Sequence, residues 1–321
     1  MGTQLELVWF DGEIIPSEEA NVSVMTHALH YGTAVFEGIR AYFDAGELYV
    51  FRLEDHMRRL VDSARMLHIE CQYSVPTLVS AVPSLLRGMG LRTSVYIRPI
   101  LFVGVGGIQL DYRKHPKHLA IFAYPFSGYF RKSGLRVCIS SWRRVSDESV
   151  VPRAKAASNY LNSSIATIEA KLAGYDEAIL LDTHGHVSEG AGENVFLVKD
   201  GIVCTPPVYS SILEGITRDT VISLANDFGI TVVERPIQRS ELYTADELFF
   251  TGTATEVESI LEVDGRKIGN GEPGRTTRQI RDLYMKVVKG RSSKYRRWLT
   301  KVYGQKSGKL TRANLDSSKG S

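Results

Sequence analysis

The sequence predicts an α+β protein organised in two domains. Predicted strands are followed by strands as often as by helices, and the pattern breaks near 125–134 into Pro, Ser, Gly and basic residues. The 321 residues are 43% hydrophobic, which is enough for a core in each of two ordinary domains. We therefore expect a small N-terminal domain at 1–125, an interdomain loop at 126–134, a larger domain at 135–302 and a basic tail at 303–321.

The first half is predicted to contain β-hairpins and one clear helix. The turns Asp11-Gly12 and Asp44-Ala45-Gly46 each lie between two apolar runs, as in a hairpin. The helix is predicted from apolar residues that recur every three or four positions: Leu53, Met57, Leu60, Ala64 and Leu67. The predicted strands are 5–10, 14–15, 34–43, 48–51, 94–103 and 119–124.

The second half alternates more regularly between helices and strands. Helices are predicted at about 159–173, 217–228 and 276–288. Strands are predicted at 177–182, 195–198, 202–204, 230–234, 247–251 and 257–263. Because several of these strands follow one another directly, we expect α+β and not a doubly wound parallel sheet.

Charge is unevenly distributed along the chain, although the formal net charge is only +3. From Lys286 onward there are 11 basic residues and one acid, which leaves −7 on the preceding 285 residues. We interpret this basic end as a solvated helix followed by a disordered tail past Val302. Contact with nucleic acid is the alternative, which we do not expect because few aromatic residues are interleaved with the basic ones.

Several classes of protein are excluded by composition. No apolar run approaches the roughly 20 residues of a membrane helix, and the N-terminus lacks the apolar region of a signal peptide. Cys71, Cys138 and Cys204 lie far apart, without the spacing of a zinc site or a disulfide framework. We therefore expect a cytoplasmic protein without a metal.

Lys155 is the first candidate catalytic residue. It lies among small apolar residues just before a predicted helix, within a long segment of low charge. One interpretation is a surface lysine whose stem packs on apolar neighbours. The other is a desolvated amine of lowered pKa, which can form a Schiff base with an aldehyde cofactor or a carbonyl substrate.

Three further segments supply the other parts of such a site. Ser188–Asn194 is interpreted as a Gly-rich turn, in which the Glu189 carboxylate could fix a charged nitrogen. Leu213–Asp219 leads into a helix whose first N–H groups can bind an anion, and Thr251–Thr255 is a second turn with N–H groups and hydroxyls. Together with Lys155 they form the parts of a pyridoxal phosphate site.

Seven motifs follow one another along the chain: Thr26–Arg40, Asp55–Leu60, Tyr96–Pro99, Lys155–Ser163, Ser188–Asn194, Gly215–Asp219 and Thr251–Ala254. In this order they resemble the branched-chain amino acid aminotransferases, which are pyridoxal phosphate enzymes of fold type IV. The resemblance covers about residues 5–302. It implies a smaller α/β N-terminal domain and a larger cofactor-binding domain with a β-barrel-like core.

The resemblance also implies which residues bind the cofactor. Lys155 would be the Schiff-base lysine and proton shuttle, Glu189 would keep the pyridine nitrogen protonated, and Tyr160 would hydrogen-bond the phenolic oxygen. The remaining implied contacts are Arg59, Ile216, Thr217 and Thr253 with the phosphate, and Leu213 with the ring. Arg59 adjoins the predicted core position Leu60, so we expect its guanidinium to be buried only because a dianion meets it.

The substrate-binding residues are likewise implied by the resemblance. Tyr96 and the amides of Thr253 and Ala254 would hold the α-carboxylate, and Arg98 would accept the distal carboxylate of glutamate. The apolar walls would come from Tyr31, Phe36, Gly38 and Tyr129. The spacing of Tyr96 and Arg98 is consistent with this, since residues i and i+2 of a strand share a face.

The implied reaction is ping-pong transfer of the amino group of leucine, isoleucine or valine to 2-oxoglutarate. The alternative is a related fold-type-IV enzyme that acts on D-amino acids or (R)-amines, or an aminodeoxychorismate lyase. The partners are small amino acids and 2-oxo acids. Because sites of this family borrow residues from a neighbouring subunit, we expect a homodimer or a larger homo-oligomer.

Overall fold

A computed structural model describes residues 6–130 and 134–304. The helices are α1 His27–Tyr31, α2 Leu53–Met66, α3 Val75–Met89, α4 Tyr160–Leu172, α5 Ile216–Asp227, α6 Arg239–Leu242 and α7 Arg275–Val288. The strands are β1 Leu7–Phe10, β2 Glu13–Pro16, β3 Ala34–Phe36, β4 Ile39–Asp44, β5 Glu47–Phe51, β6 Val95–Val103, β7 Lys117–Pro125, β8 Leu135–Arg143, β9 Glu177–Leu181, β10 Val187–Gly190, β11 Asn194–Lys199, β12 Ile202–Thr205, β13 Val232–Glu234, β14 Glu247–Gly252, β15 Glu256–Val263, β16 Arg266–Lys267 and β17 Leu299–Lys301. Most of the predicted basic tail, from residue 305 onward, lies outside the described residues.

The first sheet is antiparallel and is built mostly from the first half of the chain. Its strand order is β17-β5-β4-β6-β7-β1-β2, and β3 pairs with β6. Apolar residues of this sheet pack against α2 and α3 in one buried cluster that includes Val35, Met57, Leu85 and Ile97. The late strand β17 pairs with β5, so the described chain ends on the sheet on which it began.

The second sheet is mixed, with the order β10-β9-β8-β15-β14-β11-β12-β13 and β16 paired to β15. Its parallel pairs are β8 with β9, β8 with β15, and β12 with β13. α4 packs on β8 and β9, α5 packs on β14, and α7 packs on β15 and β14. One antiparallel sheet and one mixed sheet, both covered by helices, confirm the predicted α+β class. The domain boundaries at 125 and 135 stay a prediction.

Most of the predicted elements are present, with ends displaced by one or two residues. α3 was not predicted, because Pro76 at its start and Pro83 inside it obscure a helical pattern that Ser74 caps by accepting the N–H of Thr77. The strands β8 and β17 were also missed. The predicted continuous strand 34–43 is wrong, since β3 and β4 are separated at Glu37 and Gly38.

Two contacts join the start of α2 and its Arg59 to the first turn of α5 and to the residues just before it. Arg52 at the start of α2 binds Asp219 with Nη1 2.7 Å from Oδ2, and Arg59 Nη1 donates to the Glu214 carbonyl at 2.9 Å. A β-bridge between Val35 and Ala156 adds a third connection between the two halves of the chain. Among the described helices none is long and apolar enough to span a membrane.

Candidate active site

A cleft with an empty volume of about 530 Å³ lies between α2 and the N-terminal ends of α4 and α5. Its walls contain the eight residues that the family resemblance implied for cofactor binding: Arg59, Lys155, Tyr160, Glu189, Leu213, Ile216, Thr217 and Thr253. These residues span almost 200 positions of the chain. The fold therefore brings together the parts that were separate in sequence.

Lys155 is held through both its main-chain N–H and its carbonyl. Its N–H donates to the buried Ser63 Oγ of α2 at 3.0 Å, and its carbonyl accepts the N–H of Phe36 at 3.1 Å. The Lys155 side chain is partly buried, and Nζ donates to Tyr160 Oη at 2.6 Å. This placement favours the functional interpretation of the lysine over a side chain that extends along the surface.

Glu189 lies on the strand β10, not in a turn as the glycines around it suggested. Its side chain is buried, and Oε2 accepts the Asn194 amide and the Leu213 N–H, both at 3.0 Å. Oε1 lies 2.8 Å from Arg144 Nε. Burial raises the pKa of Glu189, while Arg144 acts in the opposite direction.

Arg144 is a residue of the cleft that the sequence did not reveal. It follows the end of β8, is 6% exposed, and lies in the wall of the cleft beside Glu189. Its guanidinium forms a buried ion pair with the Glu189 carboxylate. No local pattern distinguishes Arg144 from its neighbour Arg143, so only the fold could identify it.

The anionic end of the cleft is formed by the start of α5 and by the turn after β14. Gly215 provides no side-chain cap, so the N–H groups of Ile216 and Thr217 are the uncapped donors of the helix N-terminus. Thr253 faces the same cleft, and Thr251 Oγ1 is buried there without a hydrogen-bond partner among the described residues. Donors of this kind fit a phosphate group.

The expected reason for the burial of Arg59 is wrong, because its guanidinium already meets a carboxylate of the chain. Arg59 Nε and Nη2 donate to Glu37 Oε1 and Oε2 at 2.6 and 2.9 Å. Glu37 is fully buried and also accepts His56 Nδ1–H at 2.7 Å. Sequence reasoning missed Glu37 and His56. The signal available for Glu37 was a charged residue within an apolar stretch.

The predicted substrate-binding residues Phe36, Gly38, Tyr96 and Arg98 form one cluster beside Tyr160. Arg98 Nη2 donates to Tyr96 Oη at 2.9 Å, and the Arg98 guanidinium lies 4.5 Å from the centre of the Phe36 ring. The centres of the Phe36 and Tyr160 rings are 4.7 Å apart. A Cβ on Gly38 would lie 2.0 Å from Tyr96 Oη, so only glycine leaves room for this tyrosine.

Three other predicted substrate-binding residues lie elsewhere. Tyr129 lines a second cavity that shares Tyr160 with the cleft, and Ala254 is partly exposed in the turn beside Thr253. Tyr31 is exposed on α1 and donates to the Ile108 carbonyl at 3.3 Å. Tyr31 is not among the described residues that line the cleft of its own chain.

The cleft residues fit pyridoxal phosphate. A pyridine ring carrying an aldehyde, a phenolic oxygen and a phosphate requires an amine, a hydroxyl, a carboxylate and an anion site. Lys155, Tyr160, Glu189 and the start of α5 supply these groups within one cleft. Glu189 Oε1 has lone-pair capacity for a further N–H donor, which agrees with a partner on the pyridine nitrogen.

Glu193 is a second buried carboxylate in the wall of this cleft. Its Oε1 accepts the Thr255 hydroxyl at 3.1 Å, and its Oε2 accepts the Gly192 N–H at 3.0 Å. Burial, with the nearby negative charge of Glu177, raises the pKa of Glu193 to about 8. Burial therefore favours the neutral, protonated form of the Glu193 carboxyl group.

Comparison with known proteins gives consistent results. Residues 34–263 match the family model of amino-transferase class IV. A relative in Aquifex aeolicus, named a probable branched-chain-amino-acid aminotransferase, is 46% identical over 93% of this chain and 97% of its own length. The branched-chain aminotransferase of Thermoproteus uzoniensis, solved with norvaline, superposes with a TM-score of 0.91 at 46% identity, over 93% of this chain and 100% of that one. The branched-chain amino acid aminotransferase of Thermobaculum terrenum, solved in its PLP-form, gives a TM-score of 0.89 at 41% identity, over 93% and 99% of the two chains.

The buried Glu193 carboxyl predicts a specific pH dependence of stability. An unfolded glutamate loses its proton near pH 4.3, whereas the folded one keeps it to about pH 8, so rising pH destabilises the folded parent across this interval. Glu193→Gln abolishes this effect. We expect its melting temperature, relative to the parent, to increase from pH 5 to pH 8, because its free energy of unfolding gains on that of the parent by at most about 1.4 kcal/mol per pH unit.

The control for this measurement is Glu13→Gln, which removes one carboxylate from an exposed position of β2. Its melting temperature should follow that of the parent at every pH. Parallel pH profiles for the parent and Glu193→Gln would show that Glu193 is ionised in the folded protein.

Proposed function

This chain belongs to the class IV aminotransferases, and from that premise we propose that it transfers the amino group of leucine, isoleucine or valine to 2-oxoglutarate. The products are the branched-chain 2-oxo acid and L-glutamate, formed in two half-reactions with pyridoxal phosphate as cofactor. One observation carries the proposal: a lysine, a buried carboxylate and a helix N-terminus converge on one cleft beside an arginine and a tyrosine that hydrogen-bond each other. Relatives that match over 92–93% of this chain are named branched-chain-amino-acid aminotransferases, one of them as probable.

The cofactor is proposed to lie between Lys155 and the start of α5. When bound, pyridoxal phosphate supplies an electrophilic carbon and a ring that withdraws electrons from the substrate Cα. Glu189 would hold a proton on the ring nitrogen, supported by its burial and by the two donors that fix its other oxygen. Tyr160 would bind the phenolic oxygen, and Leu213 would pack on the ring.

Lys155 is proposed to move the proton between the substrate Cα and C4′ of the cofactor. Its backbone is fixed by Ser63 and Phe36, so the motion required of it is confined to the side chain. Tyr160 Oη, 2.6 Å from Nζ, would hold the amine on the side of the cleft where the proton is exchanged. A positioned amine of this kind acts as a general base and then as a general acid.

Two substrates of different polarity must use one pocket. We propose that Tyr96 and the amides of Thr253 and Ala254 bind the α-carboxylate of both. The aliphatic side chain of leucine would lie against apolar groups such as Phe36, and the distal carboxylate of glutamate would meet Arg98. Arg98 supports this role because its Nε is buried without a partner among the described residues, which leaves a charged donor for a ligand.

The first experiment tests cofactor and substrate together. Purified protein should absorb at the wavelength of a lysine-bound pyridoxal group, and Lys155→Ala should lose this band because the amine is gone. Mixing the parent with L-leucine should convert the band, whereas D-alanine and (R)-1-phenylethylamine should leave it unchanged.

Lys199→Ala is the matched control, since Lys199 is exposed and pairs with Asp246 at 3.0 Å. It should keep both the band and the response to L-leucine. A response to D-alanine or to (R)-1-phenylethylamine, without a response to L-leucine, would reassign the protein to the related fold-type-IV transaminases. Absence of the band in the parent would reject a pyridoxal phosphate enzyme altogether.

The proposed role of Arg98 predicts that its replacement affects the two substrates differently. Arg98→Gln removes the cation but retains a polar side chain, so we expect kcat/KM for 2-oxoglutarate to fall about tenfold or more. For L-leucine, which has no distal charge, the change should stay within about threefold. Steady-state kinetics with each substrate varied in turn measures both values, and Arg92→Gln, at an exposed position, is the control. Equal losses for both substrates would contradict this role.

We also propose that the protein is a homodimer or larger homo-oligomer. Exposed apolar side chains of two segments lie together: Val24, Met25, Leu29, Ile108 and Leu110. The segments are joined by hydrogen bonds from Tyr31 to the Ile108 carbonyl and between His27 Nε2 and the Gln109 carbonyl, at 3.3 and 3.1 Å. A contiguous apolar patch of this kind is typical of a subunit interface. Since Tyr31 belongs to this patch, it would reach a substrate pocket across the interface.

Charged substitutions in this apolar patch test the assembly. Ile108→Lys, at a residue that is 82% exposed, should shift the protein toward the monomer because it places a charge in the interface. Light scattering during size-exclusion chromatography gives the mass. Leu172→Lys, similarly exposed at the end of α4 and outside the patch, should leave the mass unchanged. An unchanged mass for Ile108→Lys would place the interface elsewhere.

A cytoplasmic location is proposed on the state of the cysteines. Cys71, Cys138 and Cys204 are free thiols, and two of them are buried. Thiols that remain unpaired are typical of proteins that work in a reducing compartment.

A further inference from the structure

Glu37 occupies an unusual position between two predicted residues of the substrate pocket, Phe36 and Gly38. It lies in the interruption between β3 and β4, and its side chain is fully buried. Both carboxylate oxygens are used: Oε1 accepts Arg59 Nε–H, while Oε2 accepts Arg59 Nη2–H and His56 Nδ1–H. The Gly38 N–H is a fourth donor, at 3.2 Å from Oε2.

The protonation states in this cluster follow from its contacts. Burial alone would raise the pKa of Glu37, but Arg59 and His56 outweigh it and hold the pKa well below its usual range. Burial lowers the pKa of His56, so its imidazole is neutral. Because an ionised carboxylate can only accept, the proton of this neutral imidazole resides on Nδ1.

Arg59 is therefore oriented and neutralised by the protein itself. Of its five N–H donors, two are taken by Glu37 and one by the Glu214 carbonyl. Two donors remain for a phosphate, counting contacts within the described residues. The guanidinium does not have to be recruited when a phosphate arrives, which removes the side-chain ordering cost from binding.

The same face of α2 connects this cluster to the catalytic lysine. His56, Arg59 and Ser63 follow one another at spacings of three and four, so their side chains share one side of the helix. His56 and Arg59 hold Glu37, and Ser63 holds the Lys155 N–H. A displacement of Glu37 would thus be transmitted to the arginine at the anionic end of the cleft.

We propose that Glu37, oriented by His56, is a positioning residue that presents the Arg59 guanidinium to the phosphate of the cofactor. This inference rests on the proposed function. It assigns to the Glu37–His56 pair a selective effect on the phosphate group, with little effect on the pyridine ring and its aldehyde. That selectivity separates positioning of Arg59 from a general contribution to folding.

The test compares binding of pyridoxal phosphate with binding of pyridoxal, which lacks the phosphate, to the cofactor-free protein. The dissociation constant of pyridoxal divided by that of pyridoxal phosphate, both measured by absorbance titration, reports the contribution of the phosphate. Glu37→Asp keeps the charge but withdraws the carboxylate by one methylene, so it cannot reach Arg59 in the same geometry. His56→Leu keeps Glu37 but removes the donor that orients it. We expect the ratio to fall about tenfold in each variant, with pyridoxal binding changed less than threefold.

Two further variants complete the experiment. His56→Asn retains an N–H donor near the position of Nδ1 and should restore much of the ratio. His118→Leu breaks a similar pair, in which His118 Nδ1 lies 2.6 Å from Asp11 Oδ2 in the first sheet, and should leave the ratio at the parent value. If Glu37→Asp does not fold, as judged by circular dichroism, the two His56 variants still decide.

The outcomes distinguish this inference from the function on which it rests. A parent that binds neither ligand would reject the proposed function. A parent that binds both, with variants whose ratio is unchanged, would overturn the positioning role and leave the function intact. Equal weakening of both ligands in the variants would likewise overturn it, because it would indicate a structural effect on the whole cleft.

Discussion

The buried ion pair between Glu37 and Arg59 is the constraint around which the site is organised. Removing two charges from water costs on the order of several kcal/mol per ion, and the cost is offset only where geometry is good and the other donors and acceptors are filled. Glu37 satisfies this condition through His56 and the Gly38 N–H. Because Glu37 adjoins the first sheet and Arg59 contacts the Glu214 carbonyl ahead of α5, the pair also connects that sheet to the anionic end of the cleft.

Main-chain hydrogen bonds position the two groups that the proposed chemistry requires. Lys155 is fixed between Ser63 of α2 and Phe36 of β3, and Glu189 accepts the N–H of Leu213. Each of these contacts joins segments at least 24 positions apart in sequence. Side chains anchored in this way lose little additional entropy when a ligand binds, which is the physical advantage of a site assembled from rigid elements.

The sequence was most informative where a local pattern reports a local structure. The periodicity of α2 and the alternation of β6 identified both elements, whereas Pro83 concealed α3. Glycines around Glu189 suggested a turn, yet β10 forms there because pairing with β9 depends on a partner that the segment itself does not show. Arg144 and His56 escaped notice for the same reason, since a charged side chain does not indicate its partner.

The sequence by itself determined the α+β class, most of the elements and the residue types that match a pyridoxal phosphate enzyme, because periodicity and motif order are properties of contiguous residues. Only the tertiary structure decided that Glu37 neutralises Arg59, that Arg98 and Tyr96 hydrogen-bond, and that Tyr31 is not among the described residues lining the cleft of its own chain. The burial and protonation of a charged group depend on which distant atoms surround it. That information arises only when the chain has folded.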